Sequence, residues 1–231
     1  MGNASLGEQL SKSKFKKAEL IDLSEYGESK TDKIKVLPTQ IGGLRKCQRL
    51  IVSNNLLTKL PKEIGKLPNL RVLDLHDNKL TELPDELGNI ATLEELYLDE
   101  NKLFVMPEGL PETIGRLKRL QKISIRKNQL TKITDALGGC ESLTEIDLSE
   151  NQLAYLPPEF GNMKELVTAN FSSNALKALP PEIRSWTKIE RLSLSKNEII
   201  ELPKEIGEMS SLTHFLIAFN RITTLPSEVS Q

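Results

Sequence analysis

The sequence predicts an α/β solenoid, a coil of similar units with a parallel β-sheet on its concave face and short helices or extended segments on its convex face. The first observation is an asparagine that recurs eight times, with six of the seven intervals equal to 23 residues. The second is a set of apolar residues that repeats with the same period. Self-similarity at a fixed period of roughly 20 to 50 residues is typical of solenoids. The asparagines are Asn55, Asn78, Asn101, Asn128, Asn151, Asn174, Asn197 and Asn220.

The stretch "LPKEIGKLPNLRVLDLHDNKLTELP" shows how one unit is built. Its segment "LRVLDL" alternates with period two around Leu73 and Leu75, which predicts a short strand with one buried face. Its segment "LPKEIGKL" has apolar residues three apart and Pro61 where a first helical turn tolerates proline, which predicts a short helical or extended return. A single unit cannot bury its leucines alone, so neighbouring units must stack around a shared core. The apolar positions are Leu60, Ile64, Leu67, Leu70, Leu73, Leu75 and Leu80.

The asparagine after each strand has a structural role in this scheme. Its short side chain carries both a donor and an acceptor, so stacked asparagines can satisfy the turn backbone of their own and adjacent repeats. The one longer interval, 27 residues from Asn101 to Asn128, contains "MPEGLPETIG", where a second Leu-Pro-Glu has been added. We therefore assign all eight asparagines to the structure.

The chain divides into three regions. Residues 1–17 form a tail or cap helix with a candidate lipidation signal, and we expect a short helix over 5–16 that closes the N-terminal end of the core. Residues 18–36 keep apolar residues in strand spacing but lack the asparagine, which indicates a degenerate first repeat. Residues 37–231 contain eight repeats and the start of a ninth.

Five segments share the pattern LxxLxLxxNxL: "LRVLDLHDNKL", "LEELYLDENKL", "LQKISIRKNQL", "LTEIDLSENQL" and "IERLSLSKNEI". This pattern resembles the leucine-rich repeat family over residues 37–231. The variant seen as "LPKEIGKL", "LPDELGNI" and "LPKEIGEM" resembles the intracellular subclass that includes Ras-suppressor and Ras-pathway scaffold proteins, and the Met-Gly-Asn start resembles small leucine-rich repeat-containing proteins. The resemblance implies a horseshoe that binds partners and performs no chemistry of its own. Thr134 in place of proline and Arg184 in place of glycine depart from the pattern without changing the predicted fold.

Composition argues against several other classes of protein. The chain has 231 residues, 38% of them hydrophobic, a formal charge of -1 and a pI near 6.2. A general nucleic-acid-binding protein normally has a basic domain, so we expect no nucleic-acid partner. No apolar run approaches the roughly 20 residues that span a bilayer, and the polar N-terminus lacks the apolar core of a secretion signal. We expect a cytoplasmic protein.

The two cysteines fit this location. Cys47 and Cys140 occupy positions where other repeats have Leu, Ile or Met, and they lie four repeats apart. Strands stacked at about 4.8 Å place them about 19 Å apart, beyond the roughly 7 Å limit for a disulfide. We predict two buried thiols and no disulfide.

The strand residues that point away from the core predict the binding surface. Their charges group by repeat, because two acidic repeats are followed by a basic one and then by another acidic one. Such a surface could recognise a partner with a complementary charge pattern, with Tyr97 as an aromatic anchor; the alternative is a set of solvated charges that keep a monomer soluble. The candidate partner-binding residues are Asp74, His76, Glu95, Tyr97, Asp99, Lys122, Arg126, Glu145 and Asp147.

A second candidate surface lies near the C-terminus. The residue before the asparagine is polar in seven repeats and is Phe219 in the eighth, where Leu216 precedes it on the strand. A surface aromatic residue beside a leucine could anchor a partner. It could equally be covered by a short C-terminal tail or by self-association.

Catalysis has little support in the sequence. The two histidines, His76 and His214, lie about six repeats apart, so no shared site can use both. Asp74 and Asp99 could approach His76 on adjacent strands, and a metal or acid–base site there is weighed against a salt-bridged surface histidine. There is no Gly-rich phosphate loop, no paired-cysteine metal spacing and no nucleophile elbow. We assign no catalytic residue, no metal and no cofactor.

The N-terminus carries a candidate membrane signal. Gly2 follows the initiator methionine as N-myristoylation requires, although Leu6 stands where the consensus has a hydroxyl residue. One myristoyl chain binds membranes only marginally, so a second signal is needed. A lysine cluster with an aromatic residue could supply it at an anionic leaflet, or it could be the solvated face of a cap helix. The candidate membrane-contact residues are Lys12, Lys14, Phe15, Lys16 and Lys17.

These observations predict a non-enzymatic scaffold or adaptor that binds another protein on its concave face in intracellular signalling, with peripheral contact to a membrane through its N-terminus. The alternative within the same broad class is a regulatory subunit of a small GTPase or phosphatase complex. The alternative of another class is a metal-dependent hydrolase. The sequence does not name the partner, because a fold hosts many functions.

Overall fold

A computed structural model describes residues 3–24, 33–104 and 110–230 of the chain, without the side chains of 3–5 and 229–230. Within these residues nine strands pair in parallel, in sequence order, into one open sheet. Each strand pairs only with its neighbours in the chain, as the repeat predicts. The strands are β1 (Leu20–Asp22), β2 (Arg49–Ile51), β3 (Val72–Asp74), β4 (Glu95–Tyr97), β5 (Lys122–Ser124), β6 (Glu145–Asp147), β7 (Thr168–Asn170), β8 (Arg191–Ser193) and β9 (His214–Leu216).

The register of the sheet aligns equivalent residues of successive repeats. Leu73 of β3 pairs with Leu50 on one side and with Leu96 on the other, and all three are fully buried. The longer interval does not disturb this alignment, because Leu96 still pairs with Ile123 across it. The inserted segment therefore leaves the sheet unshifted, although residues 105–109 lie outside the described residues.

Short 3₁₀ helices return the chain on the convex side of the predicted solenoid. Pro61 directly precedes one of them and accepts a hydrogen bond from the N–H of Ile64 at 3.0 Å, so the proline lies one residue before the first turn and not within it. The helices are Thr39–Gly43, Lys62–Lys66, Asp85–Asn89, Glu112–Arg116, Asp135–Gly139, Pro158–Asn162, Pro181–Ser185, Lys204–Glu208 and Ser227–Ser230.

Glycine in these helices permits close stacking. A Cβ atom at Gly65 would lie 2.2 Å from the carbonyl oxygen of Glu86, and one at Gly88 would lie 2.3 Å from that of Thr113. Thr134, which replaces the usual proline, caps its helix by accepting a hydrogen bond from the N–H of Ala136 at 3.1 Å. The hydroxyl thus provides what proline lacks, a side-chain acceptor for an unpaired helical N–H.

The asparagines form the predicted ladder, and Asn101 shows its pattern. Its Nδ2 donates to the carbonyl oxygens of Leu98 in its own repeat at 3.0 Å and of Leu75 in the preceding repeat at 2.9 Å. Its Oδ1 accepts from the N–H of Leu80 at 3.0 Å. Equivalent contacts recur at all eight asparagines. All eight asparagines thus hold the turn backbone of their own and adjacent repeats.

The residue before each of these asparagines has a left-handed backbone conformation. The φ values lie between 47° at Asp77 and 59° at Phe219. Residues other than glycine rarely adopt this region, and asparagine and aspartate do so most readily. The eight residues are Asn54, Asp77, Glu100, Lys127, Glu150, Ser173, Lys196 and Phe219.

The N-terminal end of the core is closed by helix α1 (Asn3–Ser11), whose Leu6 and Leu10 are buried. The expected single helix over 5–16 is instead two, because the backbone is extended at Lys12 before helix α2 (Ser13–Lys17) begins. Helix α1 therefore covers this end of the core, and the expectation of one continuous helix was wrong.

The other end of the described core is open. In β9 the central residue Phe215 is only partly buried, whereas the equivalent Leu192 of β8 is 1% exposed. The start of a ninth unit is present as the short helix Ser227–Ser230. It leaves Leu216 and Leu225 more than half exposed.

The cysteines are buried and unpaired, as predicted. Burial raises the pKa of the Cys47 thiol to about 11 and that of Cys140 to about 12. Because the thiolate is the reactive form, we expect both thiols to be unreactive while the chain is folded.

Candidate functional site

The outward residues of β3 to β6 form one continuous surface at the centre of the concave face. Parallel pairing places Asp74, Tyr97, Ser124 and Asp147 side by side in a single row. Neighbouring strands lie about 4.8 Å apart, so these side chains are within contact distance of one another. The structure therefore brings together the central members of the predicted set.

Tyr97 is the only aromatic residue on the strands of this surface. Its hydroxyl donates to Oε2 of Glu95 at 2.9 Å, and the side chain is half-buried. Burial raises the pKa of the phenol, and the carboxylates of Glu95, Glu145 and Asp74 raise it further. Tyr97 is therefore a neutral aromatic group surrounded by negative charge.

The aspartates of this surface hold the turns that follow the strands. Oδ1 of Asp99 accepts from the hydroxyl of Ser124 at 2.5 Å and from the backbone N–H of Arg126 at 2.7 Å. Burial raises the pKa of Asp99, and these two hydrogen bonds oppose that effect. Asp147 similarly accepts from the N–H of Ser149 at 2.8 Å. One oxygen of each carboxylate is thus committed to the backbone.

The basic residues on and just after β5 are neutralised by the repeat that follows. Lys122 lies 3.1 Å from Glu145, and Arg126 donates to Glu150 through both Nε and Nη2. These contacts raise the pKa values of Lys122 and Arg126, the side-chain hydrogen bonds having the larger effect. The separate acidic and basic blocks of the sequence are therefore joined by ion pairs between repeats.

Glu150 is a member of this network that the candidate set leaves out. It occupies the left-handed position before Asn151 and reaches back to Arg126 across one repeat. Its charge is visible in the sequence, but its partner is 24 residues away and depends on the register. Some residues that alternate with the core residues on or just after the strands are also buried. Ser53, Val72 and Ser149 are no more than 6% exposed.

His76 lies beside one carboxylate. Its Nδ1 is 2.7 Å from Oδ1 of Asp74, and its Nε2 is 3.3 Å from Nδ2 of Asn54. Asp99 directs its oxygen to Ser124 and Arg126 instead. Among the described residues no group of three or more histidine, cysteine or carboxylate side chains could hold a metal ion.

The second candidate surface lies at the open C-terminal end. Leu216 is 58% exposed and Phe219 is 79% exposed. Phe219 borders a shallow cavity of about 300 Å³ that Ile217, Ile222 and Leu225 also line. The described residues that follow β9 do not cover these two side chains.

The N-terminal candidates divide into exposed and packed residues. The lysines at 12, 14, 16 and 17 are exposed, whereas Phe15 is half-buried and packs against the core. Nζ of Lys14 lies 5.0 Å from the centre of the Phe15 ring. Part of the Phe15 side chain is therefore committed to the core, and Gly2 lies outside the described residues. No helix in the described ranges is both long and apolar enough to cross a membrane.

Comparison with known proteins places the chain in a family. A family model described as a leucine-rich repeat region matches residues 7–149, and a leucine-rich repeat model matches residues 142–163. A search of the curated proteins gives no match.

Solved structures agree with this assignment. The LRR protein LIC12759 of Leptospira interrogans is 32% identical with a TM-score of 0.78, and the match covers 98% of this chain and 60% of that one. The plant peptide hormone receptor RGFR1, solved in complex with RGF2, is 30% identical with a TM-score of 0.73 over 84% of this chain and 32% of the receptor. Internalin C2 of Listeria monocytogenes, at 19% identity and a TM-score of 0.67, shares the fold over 84% of this chain and 76% of its own. The chain thus spans less than two thirds of the first two structures it matches.

The repeat, the nine-stranded parallel sheet, the asparagine ladder and these matches lead to one conclusion: the chain belongs to the leucine-rich repeat family.

Proposed function

We propose that the protein is a non-enzymatic binding module whose concave face, from β3 to β6, holds another protein. The observation that carries the proposal is the setting of Tyr97, a half-buried aromatic residue in the middle of a curved sheet. Tyrosine is enriched among the residues that contribute most to protein interfaces, and such residues lie near the interface centre within a polar rim.

The charge around Tyr97 indicates what the partner presents. Lys122 and Arg126 are each held by a glutamate, so they are not available as a separate basic surface. The nine candidate residues comprise five carboxylates, two basic side chains, Tyr97 and His76. A partner with basic or hydrogen-bond-donating groups opposite Tyr97 complements this excess of acid, and such complementarity mainly sets selectivity and the rate of association.

The comparisons support a binding role of this kind. Leucine-rich repeat proteins are generally binding modules, and the receptor RGFR1 was solved with the peptide RGF2 bound. The repeat variant of this chain resembles that of Ras-pathway scaffold proteins, so we propose a partner within an intracellular signalling complex, such as a small GTPase or one of its regulators.

Affinity capture with matched tyrosine variants tests the proposal. The purified chain is compared with Tyr97→Ala and with Tyr155→Ala, which removes a 48% exposed tyrosine outside the sheet. Bound proteins are identified by mass spectrometry, and the affinity of each is then measured with purified protein. We expect Tyr97→Ala to lower the affinity for the partner by about 30-fold or more, as for an interface residue that contributes at least about 2 kcal/mol. Tyr155→Ala should leave the affinity unchanged.

A charge reversal gives a second arm to the experiment. Lys122→Glu combined with Arg126→Glu leaves Glu145 and Glu150 without their partners and adds four units of negative charge to the face. We expect this variant to alter the selectivity of binding. If both Tyr97→Ala and the double reversal capture the same proteins with wild-type affinity, the concave face from β3 to β6 is not the binding surface.

A further inference from the structure

The charge of the chain is unevenly distributed along the solenoid. Residues 1–70 contain 13 lysines or arginines and 7 acidic residues, a formal charge of +6, whereas residues 71–231 contain 18 and 25, a formal charge of -7. Because successive repeats stack in sequence order, this difference in sequence is also a separation in space. The N-terminal end of the solenoid is basic and the remainder is acidic.

Four lysines of this end precede β1. Lys12, Lys14, Lys16 and Lys17 are exposed, and none of them forms an ion pair within the described residues. Farther along the chain most of the basic residues near the concave face are neutralised, as Lys122 is by Glu145. The positive charge at the N-terminal end therefore remains available to an external anion.

The fold adds two basic residues to this segment. The N–H groups of Gln48 and Arg49 donate to the carbonyl oxygen of Glu19, at 2.7 and 3.0 Å. Lys17 lies two residues before Glu19, and Lys46 lies two residues before Gln48. Two residues span at most about 7 Å, so the turn before β2 is held close to the end of α2.

We call these two exposed basic segments, which the pairing of β1 with β2 brings to the same end of the solenoid, the basic corner. It consists of the four lysines of α2 and its N-terminal cap together with Arg45 and Lys46, all exposed. Glu8 and Glu19 are the acidic residues nearest to it along the chain, so basic residues outnumber acidic ones three to one. The members from the turn are 28 or more residues from the lysine segment in sequence and join it only through the pairing of β1 with β2.

We propose that the basic corner docks the protein end-on against an anionic lipid surface. Clusters of four to eight basic residues at a membrane surface are the usual electrostatic signature of binding to anionic lipids. A membrane meets only the end of the solenoid, and the acidic remainder is then directed away from the negatively charged leaflet. A nucleic acid laid along the protein would instead run past residues 71–231 and be repelled by their charge of -7.

This orientation leaves the concave face accessible. The corner belongs to α2 and to the turn before β2, whereas the proposed partner surface lies on β3 to β6. The inference does not depend on the proposed function, and either could fail without the other.

Vesicle co-sedimentation of the purified, unlipidated chain provides the test. Vesicles of phosphatidylcholine alone are compared with vesicles that contain about 30% phosphatidylserine, each at low and high salt. We expect binding only to the anionic vesicles and loss of binding at high salt, because the interaction is screened beyond a Debye length of about 10 Å at 0.1 M ionic strength.

Three charge-neutralising variants locate the surface. Lys16→Gln with Lys17→Gln removes two charges from α2, and Arg45→Gln with Lys46→Gln removes two from the turn. Each pair should weaken binding by about 30-fold. The control pair, Lys177→Gln with Lys204→Gln, removes the same charge from exposed positions far from the corner and should change binding by less than about twofold.

Circular dichroism of each variant establishes that it is folded. If Arg45→Gln with Lys46→Gln binds anionic vesicles with wild-type affinity, the turn is not part of the membrane-binding surface and the proposed basic corner is wrong. An equal loss in the control pair would show that net charge alone is sensed. If the wild-type chain ignores anionic vesicles but binds a DNA duplex or an acidic polypeptide in a salt-sensitive way, the lipid assignment is wrong and the corner serves that other anion.

Discussion

The asparagine ladder makes a specific prediction about the stability of the solenoid. In Asn101→Ala, the carbonyl oxygens of Leu75 and Leu98 each lose one amide donor but keep another, from Asn78 and Asn128 respectively. The N–H of Leu80, by contrast, donates to Oδ1 of Asn101, and the substitution leaves this donor buried without an acceptor. Each backbone carbonyl oxygen therefore has a second asparagine donor, whereas the backbone N–H has no second acceptor.

The expected magnitude follows from this count. A buried N–H left without a partner costs about 1–3 kcal/mol, and each of the other lost hydrogen bonds contributes about 0.5–1.5 kcal/mol. We expect Asn101→Ala to lower the free energy of unfolding by about 3 kcal/mol, measured by urea denaturation with circular dichroism as the signal. The exposed Asn69, whose Nδ2 makes one bond to the carbonyl oxygen of Arg45, is the control and should lose less than about 1 kcal/mol on substitution by alanine.

Double substitutions distinguish the ladder from a simple sum of hydrogen bonds. Asn101→Ala with Asn128→Ala removes both amide donors from the oxygen of Leu98, so this pair should cost about 1–3 kcal/mol more than the two single effects together. Asn101→Ala with Asn174→Ala shares no carbonyl oxygen, and its effects should add within about 0.5 kcal/mol. Additive behaviour of both pairs, or a loss below about 1 kcal/mol for Asn101→Ala alone, would refute the reasoning.

Three further predictions concern packing, thiol reactivity and pH. Gly88→Ala should destabilise the chain by more than about 2 kcal/mol because its Cβ would overlap the next repeat, whereas Gly43→Ala, with no heavy atom within 4 Å of the added Cβ, should change the free energy of unfolding by less than about 1 kcal/mol; equal effects in urea denaturation would contradict the stacking argument. Cys47 and Cys140 should not react with a chromogenic disulfide reagent at pH 8 until the chain is unfolded, since burial raises the pKa of both thiols; rapid modification of the native protein would count against their burial. The pKa of Asp99 is higher in the folded than in the unfolded chain, so the contribution of Asp99 to stability falls as pH rises above the unfolded value of about 3.9. Asp99→Asn should therefore flatten the dependence of the unfolding free energy on pH in that range, and an unchanged profile would argue against the shift.

The fold was predictable because each structural rule is repeated. A single "LRVLDL" could belong to many proteins, but eight asparagines with apolar residues at matching positions leave few arrangements that bury every leucine. The same argument placed Cys47 in the core and assigned the asparagines to the turns. The break between α1 and α2 was not predicted, because it depends on the extended backbone at Lys12 and no proline or glycine marks it.

The residues of the candidate surface can be read from the sequence, but the ion pairs among them cannot. The sequence places Tyr97 among carboxylates, and the structure places them together in one row. The sequence does not show that Lys122 pairs with Glu145, because that contact is made between repeats and depends on the length and direction of both side chains. The addition of Arg45 and Lys46 to the N-terminal lysines was missed for a similar reason, since it follows from the pairing of β1 with β2.

The left-handed residue before each asparagine has a consequence for how these repeats can diverge. Backbone strain of this kind typically amounts to about 1–3 kcal/mol for a residue other than glycine, yet the eight positions carry side chains as different as Lys127, Glu150 and Phe219. Neither the apolar core nor the hydrogen bonds of the ladder depend on what that side chain is. Each repeat thus has one place beside the sheet where charged, polar or aromatic side chains are displayed on the same backbone. A series of glycine substitutions at these positions would separate the stability of the solenoid from what this row of side chains recognises.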